Sequence, residues 1–165
     1  MAAREETMKV DQVMTRDVKI CRLEDTLNEA ARLMWDHACG CLPVVDESER
    51  VLGILTDRDV AMSAYTQGKP LKELTVRTAM SQDVAVCRLG DLLETAEKIM
   101  QARQVRRLPV LGFEDRLVGI VTLSDIAREW EQRKGGRSKD LSPNVIGHTL
   151  AAVAHVRSRD AQREF

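Results

Sequence analysis

Two short segments carry hydroxyl and carboxylate side chains at the same spacing. Residues 53–59 read Gly-Ile-Leu-Thr-Asp-Arg-Asp, and residues 119–125 read Gly-Ile-Val-Thr-Leu-Ser-Asp. Each is predicted to carry a buried strand into a helix, whose first free backbone N–H groups can bind a phosphate. The last carboxylate, Asp59 or Asp125, can accept two hydrogen bonds from a vicinal diol such as that of ribose. This pattern favours binding of a nucleotide.

The same spacing has a structural interpretation that needs no ligand. A threonine followed three residues later by an acid is also an ordinary capping arrangement at a helix start. For a single segment, capping would be the simpler explanation. The pattern occurs twice, each time directly after a glycine-containing buried strand, and this recurrence shifts the balance towards ligand binding.

Both segments belong to an internal repeat with a period of 66 residues. Residues 13–61 align with residues 79–127 without a gap, and 19 of the 49 aligned positions are identical. Two copies with so long a period do not indicate an open solenoid, whose repeats are roughly 20–50 residues. The repeat predicts two copies of one small unit, paired through a pseudo-two-fold axis with related clefts between them.

Each copy predicts a β-α-β-β-α order, so the fold class is α/β (α+β). Alternating apolar residues at 17–22 and 83–88 indicate the first strand of each copy, and Asp25 and Asp91 occupy the expected N-cap of the following helix. Both helices can cover one face of a three-stranded sheet, so the other face is expected to pack against the sister unit. The later strands are expected at 41–45, 51–55, 107–111 and 117–121.

The predicted organisation is a first unit at 10–64, a connector at 65–75, a second unit at 76–129, and a linker with a short helical tail at 130–165. Ser142 is the expected cap of the tail helix, which is expected to reach Val156. Pro43 and Pro109 lie near strand starts, and proline there indicates an edge or entry position because it cannot donate to a neighbouring strand.

Composition predicts a cytoplasmic globular protein. The net charge is −1, 44% of residues are hydrophobic, and no signal-like or membrane-spanning apolar run is evident. Aromatic residues make up 3%, and residues 128–165 carry eight basic against five acidic side chains, a mild excess that argues against nucleic-acid binding. The four cysteines are expected to be free thiols, with Cys21 and Cys87 as small apolar core residues.

Two histidine-containing groups have a spacing that could bind a metal ion, and a metal site is favoured at neither. His37, Cys39 and Cys41 alternate, but no fourth ligand is evident and cysteine as a small apolar residue is preferred. His148 and His155 share a helical face, for which packing or exposure is preferred. No nucleophile elbow, Walker loop or zinc-protease motif is present, so the chain is not predicted to be an enzyme.

The matched segments together resemble a cystathionine-β-synthase-type (CBS) domain pair, also called a Bateman module, over roughly residues 10–129. The resemblance rests on Val13-Met14-Thr15 with Asp17-Val18, Leu42-Pro43-Val44-Val45-Asp46 and Gly53 to Asp59, and on Met80-Ser81 with Asp83-Val84, Arg106-Arg107-Leu108-Pro109-Val110 and Gly119 to Asp125. It implies two βαββα units packed through their sheets around a pseudo-two-fold axis, often dimerised into a flat disc. It also implies adenosine ligands, usually AMP, ADP or ATP and sometimes S-adenosylmethionine, and no cofactor.

The resemblance assigns roles to particular positions. The aspartates would hold ribose hydroxyls, the threonines would lie near ribose or phosphate, and residues around the two Asp-Val pairs would line adenine pockets. Residues just before each proline would face phosphate, where the second copy has Arg106 and Arg107 and the first has Gly40 and Cys41. The Asp125 site is therefore expected to hold phosphates better, with Arg58 as a partial substitute at the Asp59 site. The nucleotide-binding candidates are Thr15, Asp17, Val18, Cys41, Pro43, Thr56, Arg58, Asp59, Ser81, Asp83, Val84, Arg106, Arg107, Pro109, Thr122 and Asp125.

The favoured function is a stand-alone regulatory module that senses adenine nucleotides, forms a homodimer and acts on an unidentified protein effector. The alternative is a scaffold without a ligand, which dimerises and docks a partner through the tail at 137–165. An apolar face in that tail motivates the alternative and comprises Val145, Ile146, Leu150 and Val153.

Overall fold

The structure, a computed structural model, describes residues 8–132 and 143–154 of the 165-residue chain. The helices are α1 (Leu27–Asp36), α2 (Asp57–Gln67), α3 (Val76–Ala79), α4 (Leu93–Arg103), α5 (Leu123–Gln132) and α6 (Pro143–Ala154). The strands are β1 (Cys41–Val45), β2 (Val51–Thr56), β3 (Cys87–Arg88), β4 (Arg107–Leu111) and β5 (Leu117–Thr122). In that part of the chain, no helix combines the length and the apolar character needed to cross a membrane.

The two units contain antiparallel hairpins with the same register. Pro43 in β1 lies opposite Ile54 in β2, and Pro109 in β4 lies opposite Ile120 in β5. The mixed α+β fold predicted from the repeat is confirmed, including the buried strand pair of each unit and the helix that follows it. The repeat in the sequence is thus a repeat in strand pairing.

The first strand of each unit is much shorter than predicted. β3 pairs in parallel with β4 through two residues only, where a strand over 83–88 was expected. In the first unit the expected strand over 17–22 is reduced to a single bridge between Cys21 and Val44. Residues 17–19 instead line a cleft between the units, so their backbone does not run along β1.

An edge position does not hold for Pro109, because β4 lies between β3 and β5, whereas β1 with Pro43 pairs with β2 in a two-stranded sheet. In the first unit, the Cys21 N–H donates to the Pro43 carbonyl at 3.1 Å and the Val45 N–H donates to the Cys21 carbonyl at 3.1 Å. The proline nitrogen therefore faces the stretch before Cys21, which does not pair with β1. No ladder hydrogen bond is lost, so a central strand tolerates the proline.

The predicted helix caps Asp25 and Asp91 were also wrong. The N-cap of α1 is Thr26, whose side chain and backbone exchange hydrogen bonds with Glu29, and α4 follows Leu92 without a side-chain cap. Asp25 and Asp91 accept hydrogen bonds from the backbone N–H three residues earlier, at 2.7 Å each. Each aspartate closes the turn before its helix, a local bond that competes with capping.

The segment that leads into each unit, residues 8–14 or 74–76, packs into the core of the other unit. Met8, Val10 and Met14 belong to the second core, and Leu74 and Val76 belong to the first. The second core also contains Cys87, Leu93, Ala96, Met100, Leu108, Val110, Val121, Leu123 and Ile126. The first also contains Cys21, Leu27, Ala30, Met34, Leu42, Val44, Leu55 and Val60. The two units are therefore interlocked, and the packing role predicted for Cys21 and Cys87 agrees with their burial.

Backbone pairing fixes these exchanged segments in place. Thr15 exchanges two hydrogen bonds with Ile120 at 2.9 Å each, and Ser81 exchanges two with Ile54 at 2.9 and 3.0 Å. The neighbouring glycines permit this approach, since a Cβ at Gly119 would lie 2.9 Å from the Thr15 carbonyl oxygen. A Cβ at Gly53 would meet the Ser81 carbonyl oxygen at the same distance.

The predicted tail helix is present as α6, which packs against α4 and α5. Thr149 is fully buried, and Gln101 of α4 donates from Nε2 to its Oγ1 at 2.7 Å. The helix was expected from Val145 to Val156, and in the structure it spans Pro143–Ala154. Its predicted cap, Ser142, lies outside the described residues.

Candidate functional site

A cleft of about 730 Å³ lies between the two units. Eight of the sixteen predicted binding residues line it: Thr15, Asp17, Val18, Cys41, Arg106, Arg107, Thr122 and Asp125. Residues from distant parts of the sequence meet here because segment 8–15 packs into the second unit. The cleft therefore combines residues near the start of the first repeat with the strand-to-helix turn of the second.

Asp125 is positioned by a reciprocal capping arrangement at the start of α5. Its Oδ2 accepts hydrogen bonds from the Thr122 backbone N–H at 2.9 Å and from the Thr122 hydroxyl at 2.7 Å. The Asp125 N–H donates in return to Thr122 Oγ1 at 3.1 Å. The capping interpretation of the Thr-x-x-Asp pattern is thus correct for this residue.

Capping leaves part of the Asp125 carboxylate able to accept further hydrogen bonds. Oδ1 does not take part in the cap and lies 3.4 Å from Nη2 of Arg128, whose side chain is 65% exposed. The Asp125 side chain is only 8% exposed and borders the cleft. A carboxylate oxygen has two lone pairs, so Asp125 can hold the helix start and still accept hydrogen bonds from a bound molecule.

The corresponding residues of the first unit repeat this geometry at a different place. Asp59 Oδ2 accepts from the Thr56 N–H at 2.8 Å and from the Thr56 hydroxyl at 2.7 Å. Asp83 forms an ion pair with Arg103, and Arg58 is exposed. The predicted residues that do not line the large cleft are Pro43, Thr56, Arg58, Asp59, Ser81, Asp83, Val84 and Pro109.

The starts of β1 and β4 meet at the large cleft. The sequence analysis assigned these two strand starts to separate sites. Gly40 and Cys41 line it together with Arg106 and Arg107. A Cβ at Gly40 would lie 3.7 Å from Nη1 of Arg107, and the Arg107 guanidinium lies close enough to the Cys41 thiol to affect its ionisation. Burial raises the pKa of the Cys41 thiol, and the nearby arginine opposes part of that increase. The small residues before Pro43 make room for an arginine of the other unit.

Positive charge predominates among the ionisable side chains that border the cleft. Arg106 is exposed, Arg107 is partly buried, and Lys19 lies on the same wall. Lys19 Nζ is 2.8 Å from Asp17 Oδ1, and this hydrogen bond lowers the pKa of the Asp17 carboxyl. Three permanent cations against two carboxylates favour an anionic occupant.

Several residues of the cleft were not identified from the sequence as binding residues. Lys19 had a usable signal, because it lies two residues after Asp17 in a segment expected to alternate. His37 and Cys39 were considered only as metal ligands, although both line the cleft. Ile146 and Leu150 of α6 had no signal, since the tail has no counterpart in the repeat.

The apolar face proposed for the tail lies partly against the chain itself. Ile146 and Leu150 border the cleft, while the side chains of Val145 and Val153 lie outside the described part of the structure. The structure describes only 143–154 of the segment 137–165, so most of the mild basic excess also falls outside it. The described part of the tail is therefore a wall of the candidate site.

Metal-binding geometry does not arise in the described ranges. Among residues 8–132 and 143–154, no three His, Cys, Asp or Glu side chains are placed to hold a metal ion. Cys41 is buried beside Arg107, and His148 is exposed on α6. His155, the other histidine on the predicted tail helix, lies outside the described residues.

The comparisons with known proteins agree with the duplicated architecture. The model of the CBS domain family matches residues 10–64 and 73–131. The CBS domain-containing protein YhcV of Bacillus subtilis is 37% identical over 146 residues, which cover 88% of this chain and 95% of that protein. The crystal structure of the CBS domain pair of protein MJ0100, in complex with 5′-methylthioadenosine and S-adenosyl-L-methionine, aligns with a TM-score of 0.67 and 27% identity. That alignment covers 74% of this chain and 99% of the other.

Some relatives are much longer than this chain. The inosine-5′-monophosphate dehydrogenase of Methanocaldococcus jannaschii is 37% identical over 149 residues, which are 88% of this chain but only 27% of that enzyme. The similarity thus concerns a small part of the dehydrogenase, and it does not extend to the whole enzyme.

Proposed function

The chain belongs to the CBS domain family, and from this we propose that it is a regulatory module whose clefts bind adenine nucleotides such as AMP, ADP or ATP. The observation that carries the proposal is Asp125, a largely buried carboxylate that borders a cleft rich in cations. A related CBS domain pair, that of MJ0100, was crystallised with two adenosine-containing ligands. The cleft volume of about 730 Å³ is in the range typical of small-molecule sites.

Each part of a nucleotide has a proposed partner in the large cleft. The ribose hydroxyls donate to Asp125 with Thr122 beside them, and the adenine lies against the backbone near Val18 and Thr15. The phosphates lie near Arg106 and Arg107, because guanidinium groups match phosphate oxygens in geometry and charge. S-adenosylmethionine remains a further candidate, since its carboxylate could use the same arginines.

A second and weaker site is proposed around Asp59. It uses the equivalent residues of the other repeat, namely Thr56, Ser81, Asp83 and Val84, with Arg58 near the phosphates. The arginines before Pro109 have no counterpart before Pro43, and Gly40 and Cys41 line the larger cleft. We therefore expect nucleotides with more phosphates to prefer the Asp125 site.

Calorimetric titration of AMP, ADP and ATP into the wild type and Asp125→Ala tests the proposal. A hydrogen bond to a charged group contributes about 1.5–3 kcal/mol, so the variant should bind at least about tenfold more weakly. Glu29→Ala is the matched control, because Glu29 completes the same kind of cap on α1 outside the cleft. Equal affinity in the wild type and Asp125→Ala would contradict the assignment.

We propose regulation rather than catalysis. The thiol of Cys41 is buried and its pKa is raised, so little of the thiolate that a cysteine nucleophile requires is available near neutral pH. Ligand binding is instead proposed to shift the arrangement of the two units, or of two protomers, and a protein effector would respond to that shift. All four cysteines are free, which fits a reducing compartment such as the cytoplasm.

We also propose that the module forms a homodimer through α1 and α2. Trp35 on α1 is 87% exposed, and Met62 and Tyr65 on α2 are 38% and 81% exposed. The equivalent helices of the second unit, α4 and α5, are covered by α6. We propose that a second copy of the chain covers the exposed apolar side chains of α1 and α2.

A further inference from the structure

One edge of α6 faces the large cleft. Ile146 and Leu150 are four residues apart, so they lie on the same face of the helix. Both line the cleft together with Asp125 and with Ala127 of α5. An element outside the repeat thus contributes an apolar wall beside the carboxylate proposed to hold ribose.

The position of α6 is fixed by contacts on a neighbouring part of its surface. Thr149 is fully buried and accepts the 2.7 Å hydrogen bond from Gln101 of α4. Ile146 is partly buried and packs against the core of the second unit. These contacts hold the helix against the domain with the Ile146–Leu150 edge directed at the cleft.

Leu150 is more exposed to solvent than Ile146 and Thr149 on the same helix. Its side chain is 51% exposed, although Thr149 next to it is completely buried. A large apolar side chain that borders a concave site gains from contact with an occupant that removes it from water. Ala127, which also lines the cleft, has a small side chain and takes up little of the space for such an occupant.

We infer that Ile146 and Leu150 contact the bound ligand, so that α6 forms part of the binding site and is held more firmly when the site is filled. This rests on the proposed nucleotide-binding function. An adenine nucleotide suits the site because it has phosphates for Arg106 and Arg107 and an apolar base and sugar surface for the leucine. Occupancy of the site and docking of the tail are therefore linked, and by thermodynamic reciprocity loosening α6 weakens binding.

This linkage belongs to one cleft only. The repeat ends at residue 127, and the stretch that follows α2 in the first unit leads through Gly68 into the short turn Leu71–Glu73. That stretch packs against the first core, where Leu74 is buried. Among residues 8–132 and 143–154, the proposed Asp59 site therefore has no wall equivalent to α6, and the two sites differ in what their occupancy can report.

The test compares AMP binding to the full chain and to two variants of α6. Leu150→Asn replaces the apolar side chain with a polar one of similar size and no charge. Ala151→Asn introduces the same polar side chain at the exposed neighbouring position. We expect the dissociation constant for AMP to rise about tenfold in Leu150→Asn and to stay within about twofold of wild type in Ala151→Asn. Equal affinities for wild type and Leu150→Asn would overturn the inference.

Hydrogen–deuterium exchange supplies a readout that does not depend on these variants. AMP at a concentration that just fills the wild-type site should slow exchange of the α6 amides several-fold, and at that same concentration the effect should be smaller in Asp125→Ala, whose site is less occupied. If AMP binds and Asp125→Ala weakens binding, yet α6 exchange in the wild type does not change, the inference is wrong while the proposed function stands. If AMP, ADP and ATP all fail to bind the wild type, both are wrong.

Discussion

Asp125 caps a helix and is also proposed to bind ribose, two roles that the sequence presented as alternatives. Its Oδ2 holds the start of α5 through Thr122, while its Oδ1 takes no part in the cap and lies 3.4 Å from Arg128. The cap fixes the rotamer of the side chain, so a ligand would meet a preorganised acceptor. A helix cap and a sugar-binding group are thus compatible in a single residue.

Glycine at position 119 is required by the exchange of segments between units. A Cβ there would lie 2.9 Å from the Thr15 carbonyl oxygen, which the Ile120 N–H holds in place through a 2.9 Å hydrogen bond. Gly119→Ala is therefore expected to lower the free energy of unfolding by about 1–3 kcal/mol, the usual effect of overpacking. Denaturant unfolding followed by circular dichroism measures this change.

Gly90→Ala is the matched control for that prediction. A Cβ at Gly90 would meet no atom within 4 Å, so its free energy of unfolding should change by less than about 0.5 kcal/mol. Similar losses in both variants would show that the close approach between Gly119 and Thr15 does not explain the effect.

At the scale of elements, the hairpins followed from the sequence and the exchanged segments did not. Cys41–Val45 and Arg107–Leu111 are short, almost wholly buried runs, and such runs predict strands directly. Met14 and Thr15 align with Met80 and Ser81 at the start of each repeat, which assigns them to their own unit. Periodicity reports which residues are buried, but it does not report which core buries them.

Local turns also escaped prediction where two hydrogen-bonding patterns compete. Asp25 could cap α1 or close the turn with the Arg22 N–H, and the structure selects the turn because Thr26 and Glu29 already satisfy the helix start. In α4 the position after Asp91 is Leu92, which cannot cap, yet the same turn is formed. The turn is thus common to both repeats, while the cap belongs to one.

The exchange of segments predicts that the two units unfold together. Val10 is fully buried in the second core although it lies at the start of the first unit, so Val10→Ala should lower the free energy of unfolding by about 1–3 kcal/mol. Because each unit contributes a segment to the core of the other, the protein should unfold in a single transition. Val10→Ala should lower the melting temperature of that transition. Calorimetry checks this by comparing the calorimetric and van't Hoff enthalpies.

Lys9→Ala provides the control for Val10→Ala, since Lys9 is adjacent and exposed. It should leave the melting temperature within about 1–2 °C of wild type, as expected for a surface substitution. Two resolved transitions, of which Val10→Ala shifts only one, would show that the units are energetically independent despite the interlocked cores.

At the scale of the whole molecule, the pseudo-two-fold symmetry is broken by α6. The helix covers α4 and α5 and lines the Asp125 cleft, while α1 packs against the short turn Leu71–Glu73 and α2 packs against the four-residue helix α3. The sequence predicted the symmetric part because the repeat is explicit, and it predicted a tail helix from apolar spacing. Its docking site could not be predicted, because no second copy of the tail exists for comparison.

The broken symmetry yields a prediction about self-association. Trp35 on α1 and Gln101 on α4 are repeat equivalents, and Gln101 is the residue that bonds to α6 through Thr149. Where the second unit has a polar group directed at its covering helix, the first has an indole that is 87% exposed. Tryptophan side chains are frequent energetic centres of protein interfaces, so α1 and α2 should form the contact between protomers.

Trp35→Gln tests this by giving α1 the side chain of its counterpart. The wild type should dimerise in sedimentation equilibrium, and the variant should raise the dimer dissociation constant at least tenfold, which corresponds to about 1.4 kcal/mol or more. Phe113→Gln removes an equally exposed aromatic side chain from the turn between β4 and β5 and should leave the constant unchanged. A monomeric wild type would show that the exposed apolar side chains of α1 and α2 do not form a dimer contact. A larger effect from Phe113→Gln than from Trp35→Gln would place the contact between protomers at the turn between β4 and β5.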